Sequence, residues 1–161
     1  MSSAIIVRVL QTALDSREEA RAFANENRGS GAIVTFTGQV RDDGAAVEAL
    51  SLEHYPGFTE SRIEEIAKEA DGRWRLDGLL IVHRVGKLSP SEPIVFVAAA
   101  SGHRRDAFEA VDFVMDYLKS AAPFWKKEIS GGKERWIEPR AEDHTDLARW
   151  SSKEASNARR R

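Results

Sequence analysis

Two near-continuous apolar runs, residues 78–85 and 93–100, constrain the fold of this chain most strongly. Both are far shorter than the roughly 20 apolar residues of a membrane-spanning helix. Both are apolar at nearly every position, which is typical of strands that are covered on both faces. A chain of 161 residues can form one domain that buries such strands. The remaining segments must therefore supply the elements that cover them.

Helix signals lie between the strand signals. Three segments carry capping residues or apolar residues at helical spacing: residues 16–25, 59–73 and 102–121. Asp15 or Ser16 can cap the first of them, and Ser101 can cap the third. Pro123 disfavours helical backbone just before it, so the third helix is predicted to end near residue 121.

Strand signals occur in seven segments: residues 5–10, 31–41, 47–55, 78–85, 93–100, 124–129 and 134–137. Gly38 inside the second segment indicates a bulge or a close backbone approach. Asp42-Asp43-Gly44 predicts a turn that makes residues 47–55 the returning strand of a hairpin. The last two segments are predicted to form a C-terminal β-hairpin.

The resulting order, β-α-β-β-α-β-β-α-β-β, predicts a single α+β domain with a mixed or antiparallel sheet and packed helices. A doubly wound parallel sheet would need strict alternation of strands and helices. The domain is expected to span residues 1–150. Residues 151–161 are polar and basic, and we predict that they form a disordered tail.

The composition excludes several classes of protein. With 24 Lys and Arg against 26 Asp and Glu, the chain lacks the basic excess of a nucleic-acid binder. It has no cysteine, which excludes disulfides, thiolate catalysis and cysteine metal sites. The N-terminal residues show no secretory-signal pattern. Together these features predict a cytoplasmic protein that contacts neither nucleic acid nor membrane.

Recognised catalytic motifs are missing. The sequence has no glycine-rich phosphate loop and no Gly-x-Ser-x-Gly elbow. Its four histidines, His54, His83, His103 and His144, include no pair at the helical spacing of metal ligands, so no metal site is predicted.

The candidate functional residues are cationic. His103 and Arg104 open the third predicted helix, where free backbone N–H groups favour an anion. Lys119 lies at the other end of that helix, although a lysine there also has a purely structural interpretation as a partner of the helix dipole. Arg41 closes a strand, and it too could be only a strand-end charge.

Two lysines follow Pro123. In a strand, Lys126 and Glu128 share one face, while Lys127 points to the other and is expected to face solvent. Lys126 and Glu128 can therefore meet a ligand together. From the residue pattern alone, the prediction is an anion-binding α+β domain.

Several longer stretches resemble one family. They are GAIVTFTGQVRD at residues 31–42, LEHYPGFTE at 52–60, HRVGKL at 83–88, SGHRRDAFEA at 101–110, MDYLKSAAPFWKKE at 115–128, and the dipeptide Arg135-Trp136. From about residue 5 to residue 150 the chain resembles the large, catalytic subunits of molybdopterin synthase. The matches occur in order and at familiar spacings, and the run APFWKKE is seldom met elsewhere.

This resemblance implies an alpha/beta-hammerhead-like fold and a sulfurtransferase activity in molybdenum cofactor biosynthesis. In that family a central homodimer carries a small ubiquitin-like sulfur carrier at each end, which makes a heterotetramer. The C-terminal Gly-Gly thiocarboxylate of the carrier gives sulfur to cyclic pyranopterin monophosphate, and two transfers produce the dithiolene of molybdopterin. The resemblance implies no cofactor.

The resemblance also assigns roles to individual residues. Lys119 and Lys126 match the two catalytic lysines of the family. The residues that match its substrate contacts are Gln39, Val40, Arg41, His103, Arg104, Lys127 and Glu128. Gln39 stands where many relatives are expected to have lysine, so its contact is predicted to be weaker or to use the backbone alone.

Two rival interpretations have to be weighed. One is a non-catalytic sensor of small anions on a ferredoxin-like domain, which would explain the cations but not the lysine pair flanking Ala-Ala-Pro-Phe-Trp. The other is a scaffold subunit whose lysines are surface charge. A small co-purifying protein that ends in Gly-Gly would separate the enzyme from both. The chain has no cysteine to hold a persulfide, so a partner must deliver the sulfur.

Helix geometry bears on how these residues could share a substrate. His103 and Lys119 would lie about 24 Å apart along one helix at roughly 1.5 Å per residue. That is too far for one pterin monophosphate to touch both. We therefore predict a homodimer in which His103 and Arg104 of one protomer reach the Lys119 pocket of the other.

Overall fold

The computed structural model describes residues 3–42 and 47–157. Its elements in chain order are β1 Ala4–Leu10, α1 Ser16–Glu26, β2 Ala32–Gln39, β3 Ala49–His54, α2 Phe58–Arg73, β4 Gly78–Arg84, β5 Gly86–Leu88, β6 Pro93–Ser101, α3 Arg104–Ser120, β7 Phe124–Ser130, β8 Lys133–Ile137 and α4 Ala141–Asn157. In this part of the chain, none of the helices is both long and apolar enough to cross a membrane.

The strands form two four-stranded sheets. The first has the order β1-β4-β6-β2 and the second β5-β3-β7-β8. In the first sheet β1 runs parallel to β4, whereas its other pairs are antiparallel. The second sheet is antiparallel throughout. This arrangement, with helices packed on the sheets, confirms the predicted α+β class with mixed and antiparallel pairing and the C-terminal hairpin β7–β8.

The predicted hairpin between residues 31–41 and 47–55 is wrong. Strand β2 pairs with β6 in the first sheet, while β3 pairs with β5 and β7 in the second. Strand β2 ends at Gln39 and β3 begins at Ala49, so nine residues separate them, more than the roughly two to five of most hairpin loops. Of the predicted turn, Asp43 and Gly44 lie outside the described residues.

The two apolar runs lie at the centre of the first sheet as β4 and β6, and the expectation that both of their faces are covered is confirmed. One face packs with α2 and α3 through a core that includes Leu79, Ile81, Val97 and Ala99. The other face packs against α1 and the segment just before it, through Leu80, Val82, Phe96 and Ala98. Alternation along a strand sends these two sets to opposite faces.

Helix α4 is absent from the elements predicted from the sequence. Its anchor is Trp150, which is fully buried and packs edge-on against Trp74 and Phe113 with ring centroids 5.6 and 5.4 Å apart. The indole Nε1–H donates to Asp116 of α3 at 2.6 Å. The helix continues through residues 151–157, for which the sequence predicts a disordered tail. Residues 158–161 lie outside the described part of the chain.

Candidate active site

The turn between α3 and β7 brings Lys119 and Lys126 into one pocket. Helix α3 ends at Ser120, and Pro123 prevents its continuation, so the chain reverses and enters β7 at Phe124. Lys119 in the last helical turn and Lys126 in the strand then line the same cavity of about 470 Å³. The juxtaposition follows directly from the helix stop and the strand that comes after it.

The pocket wall is rich in charge. Its charged side chains are four cations and three acids: Arg41, Lys119, Lys126, Arg140, Glu128, Glu138 and Asp143. Its apolar lining includes Phe36, Val40, Ile94, Val95, Met115, Leu118 and Phe124. Arg41, Lys119 and Arg140 are exposed, whereas Val40, Val95 and Leu118 are buried. These three cations therefore lie at the rim, and these three apolar residues lie deeper.

Lys126 has an unusual electrostatic environment. Burial, followed by the positive charge of Lys119, lowers the pKa of Lys126 from 10.5 to about 8, and the carboxylate of Asp143 acts in the opposite direction. At neutral pH roughly nine-tenths of the Lys126 side chains are still protonated, while the free amine is accessible one pH unit higher. The side chain can therefore hold an anion or move a proton close to physiological pH.

The β2 end of the pocket depends on a glycine. A Cβ on Gly38 would lie 2.8 Å from Cγ1 of Val95, so the close approach of β2 to β6 requires glycine there. The register shifts between Gly38 and Gln39, which confirms the predicted bulge. Val40 follows, with its N–H bonded to Glu92 O at 2.9 Å and its carbonyl to Ser91 N at 2.8 Å. Val40 therefore offers the pocket apolar surface, not free backbone groups.

The two faces of β7 differ as the strand alternation predicts. Lys126 and Glu128 line the pocket, and Glu128 accepts a hydrogen bond from Arg135 at 2.8 Å. Lys127 lies on the other face, with its Nζ 4.3 Å from the ring centroid of Trp136. It also forms ion pairs of 3.6 Å with Glu53 and Glu134. The structure does not bring Lys127 to the pocket.

His103 and Arg104 lie at the N-terminal end of α3, the end opposite Lys119, and neither lines the pocket. The 17 residues of α3 separate the two ends by about 24 Å. Of the nine residues assigned by resemblance, the structure therefore brings six together in one chain: Gln39, Val40, Arg41, Lys119, Lys126 and Glu128.

Sequence reasoning missed several pocket residues. Glu138 and Arg140 lie in the connection between β8 and α4, and Asp143 lies in the first turn of α4, all in a segment that is polar in sequence. Asp143 accepts a hydrogen bond from the backbone N–H of Arg140 at 3.0 Å, which fixes the beginning of the helix beside the pocket. An acidic residue three positions after Arg140 was the available signal for a helix start.

His83 was also missed as a site residue, because a histidine inside an apolar strand is easily taken for core. It borders the pocket and stacks on Phe124 with ring centroids 3.9 Å apart. No three His, Asp or Glu side chains gather into a possible metal site within residues 3–42 and 47–157.

Comparison with known proteins places the chain in a family. The family described as "MoaE protein" matches residues 9–121. A molybdopterin synthase catalytic subunit from Cereibacter sphaeroides is 54% identical over 132 residues, which are 82% of this chain and 90% of that protein. One from Pseudomonas aeruginosa is 52% identical over 146 residues, 89% of this chain and 97% of that protein.

A solved structure supports the same family. The molybdopterin biosynthesis MoaE protein from Burkholderia ambifaria is similar to this chain with a TM-score of 0.75 and 46% identity, over 92% of this chain and 98% of that one. The lysine pocket, the fold and the matched length lead to one conclusion. The chain belongs to the MoaE family, whose members include these molybdopterin synthase catalytic subunits.

Proposed function

We propose that the pocket binds cyclic pyranopterin monophosphate and receives the C-terminal thiocarboxylate of a small ubiquitin-like carrier subunit. The chain is then the sulfurtransferase subunit of a molybdopterin synthase. The observation that carries this proposal is the convergence of Lys119 and Lys126 in one cavity of about 470 Å³. A cavity of that size accommodates a ligand of small-molecule dimensions.

The chemistry fits the residues. The carrier sulfur attacks a side-chain carbon of the pterin and forms a C–S bond while a C–O bond at that carbon breaks, and the displaced oxygen leaves with the bonding electron pair. Water then cleaves the acyl–sulfur bond, leaving a carboxylate on the carrier and a thiolate on the pterin. Both steps move protons, and the second develops an oxyanion. A lysine ammonium stabilises such a charge, and a lysine amine accepts a proton. Lys119 and Lys126 are positioned to do both, and a chain without cysteine needs the sulfur brought to it.

The exposed rim cations suit the anionic groups of the ligands. Arg41 and Arg140 flank the entrance, where their guanidinium groups can bind a phosphate with two N–H donors each. Glu128 is paired with Arg135 rather than with Lys126, so in this structure it orders β8 beside β7. The remaining cations are thus available for the substrate and for the carrier's terminus.

A reconstituted sulfur-transfer assay tests this function. Purified chain, thiocarboxylated carrier and cyclic pyranopterin monophosphate should together yield molybdopterin, and a carrier lacking its last two glycines should yield none, since its extended tail must reach the pocket. An anion sensor or a scaffold subunit would give no product with either carrier. Absence of product with intact, thiocarboxylated carrier would contradict the proposal.

The pH dependence of the reaction tests the role of Lys126. If its ammonium binds substrate anions, kcat/KM should fall as the pH rises through about 8, because the charge is lost there and not near 10.5. In Asp143→Asn the opposing carboxylate is gone, so the pKa of Lys126 drops and the fall moves to lower pH. Profiles from about pH 6 to about pH 10 measure both midpoints. Identical midpoints in the two proteins would count against this role.

We propose further that the site is shared across a homodimer, the central unit of a heterotetramer. His103 and Arg104 lie at the end of α3 remote from Lys119, so their predicted substrate contact has to be made in the partner's pocket. An isologous two-fold interface would supply it to both sites equally.

Subunit mixing tests the shared site. Lys119→Ala and Arg104→Ala chains should each be inactive alone. A heterodimer of the two has one pocket in which both residues are intact, so mixing should restore activity. Random exchange makes about half of the dimers heterodimers, each with one working site, which gives about a quarter of the wild-type rate. No recovery after exchange has been verified by mass spectrometry would rule out a shared site.

We also place the protein in the cytoplasm. A chain without cysteine has no disulfide bond that a reducing compartment would break.

A further inference from the structure

His83 occupies a position that is unusual for a histidine. It lies in β4, between Val9 of β1 and Val95 of β6, and its exposed fraction is 6%. Its neighbours along the strand, Ile81 and Val82, are fully buried aliphatic residues. A buried strand position of this kind is normally aliphatic, yet His83 also borders the pocket. The imidazole therefore places a polar group among buried aliphatic strand residues at the border of the pocket.

The hydrogen bond of Nδ1 fixes the tautomer of the ring. Nδ1 lies 2.8 Å from the carbonyl oxygen of Arg84, and a carbonyl can only accept. Nδ1 therefore carries the hydrogen, and Nε2 of the neutral ring is unprotonated. Burial, opposed by the Arg84 bond and assisted by the charges of Lys126 and Lys119, lowers the pKa of His83 to about 3. The ring stays neutral throughout the physiological pH range.

Nε2 is left as an accessible acceptor. Among residues 3–42 and 47–157, Arg84 Nε is the side-chain nitrogen that is sealed from solvent without a hydrogen bond. Nε2 of His83 makes no hydrogen bond within those residues, and the ring that carries it lines the pocket. The stack on Phe124, with ring planes 16° apart, holds the ring in place.

Of the other acceptors that line the pocket, Gln39 and Glu138 are exposed, unlike His83. The arginines and the protonated lysines only donate hydrogen bonds. Glu128 already accepts from Arg135, and Asp143 accepts from the N–H of Arg140. A reduced pterin offers ring N–H donors at one end and phosphate acceptors at the other. A buried neutral acceptor beside apolar residues suits the rings, and the exposed cations suit the phosphate.

We infer that Nε2 of His83 accepts a hydrogen bond from a ring N–H of the pterin and orients the substrate with its phosphate toward the rim cations. This inference rests on the proposed function, and it makes His83 a binding residue of the site. The geometry requires the ring system to enter first, next to Phe124 and Val95, and it leaves the reacting carbons between the deep end and the lysines.

Two substitutions separate the acceptor from the packing. His83→Phe keeps a planar ring against Phe124 but removes the acceptor, whereas His83→Gln places an amide oxygen close to the position of Nε2. Calorimetry with cyclic pyranopterin monophosphate should show about tenfold weaker binding for the phenylalanine variant, the effect of one hydrogen bond. The glutamine variant should stay within about threefold of wild type. Competition by inorganic phosphate should be the same in all three proteins, because phosphate binds at the rim.

Each other outcome is informative. Wild-type affinity in His83→Phe, or equal losses in both variants, would overturn the inference, and so would a matching loss of phosphate binding. Thermal unfolding shows whether the phenylalanine variant is folded. If it is not, His83→Leu serves as the acceptor-free protein and is judged by the same criteria. A wild-type chain that neither binds the pterin nor forms molybdopterin would instead contradict the proposed function.

Discussion

Replacing Lys119 by alanine is expected to abolish molybdopterin formation and to leave the melting temperature within a few degrees of wild type. Lys119 is exposed in the last turn of α3 and lies outside its buried stripe, so the substitution creates no cavity. Loss of one group that stabilises a developing oxyanion lowers kcat by about 100-fold or more. Loss of its charge should also raise the pKa of Lys126, which Lys119 now lowers.

The assay is single-turnover sulfur transfer from thiocarboxylated carrier, with thermal unfolding followed in parallel. Lys68→Ala is the matched control, because Lys68 is an exposed lysine in the helix α2 and does not line the pocket. It removes the same charge and the same side chain and should leave the rate unchanged. Substantial turnover by Lys119→Ala would remove Lys119 from the catalytic machinery.

Local signals were sufficient to predict the elements that carry the two lysines of this site. The apolar stripe of α3, the stop before Pro123 and the alternation along β7 are all decided by neighbouring residues. They send Lys127 to the face of β7 opposite Lys126, as the structure has it, whereas the pairing of Lys119 with Lys126 in one site was implied by the family resemblance. The bulge at Gly38 is equally local, since it follows from a glycine inside a β-branched run.

The pairing of strands that are distant in the sequence could not be predicted from such local signals. The turn signal after residue 41 favoured a hairpin, but β2 and β3 pair in different sheets. Nothing within a strand indicates which distant strand will bind its edge. His83 illustrates the related problem for side chains: the sequence shows a histidine in an apolar run, and only the packing shows that the ring borders a pocket.

Helix α4 escaped prediction because one residue supplies most of its burial. The segment from residue 141 is mostly polar, and among residues 141–151 Trp150 is the only one that is buried. The polar contacts that hold it are long-range, as in the bonds from Arg149 to Asp112 and Asp116 at 2.8 and 2.7 Å. The pocket residues Arg140 and Asp143 depend on this helix for their positions.

Replacing Trp150 by alanine should therefore have the largest effect on stability. The side chain is fully buried between Trp74 and Phe113 and donates to Asp116. Removing a large buried aromatic residue lowers the free energy of unfolding by about 3–5 kcal/mol, and here it also leaves the Asp116 carboxylate without its indole donor. Urea denaturation followed by circular dichroism measures the loss.

The matched control is Trp136→Ala, since Trp136 has an exposed fraction of 54% and contacts Lys127 on the surface of the hairpin. It removes the same side chain but should cost only about 1 kcal/mol or less. Because α4 carries Asp143 to the pocket, Trp150→Ala should also lower the pH at which kcat/KM falls, as Asp143→Asn does. Equal stability losses in the two tryptophan variants would show that α4 is not anchored through Trp150.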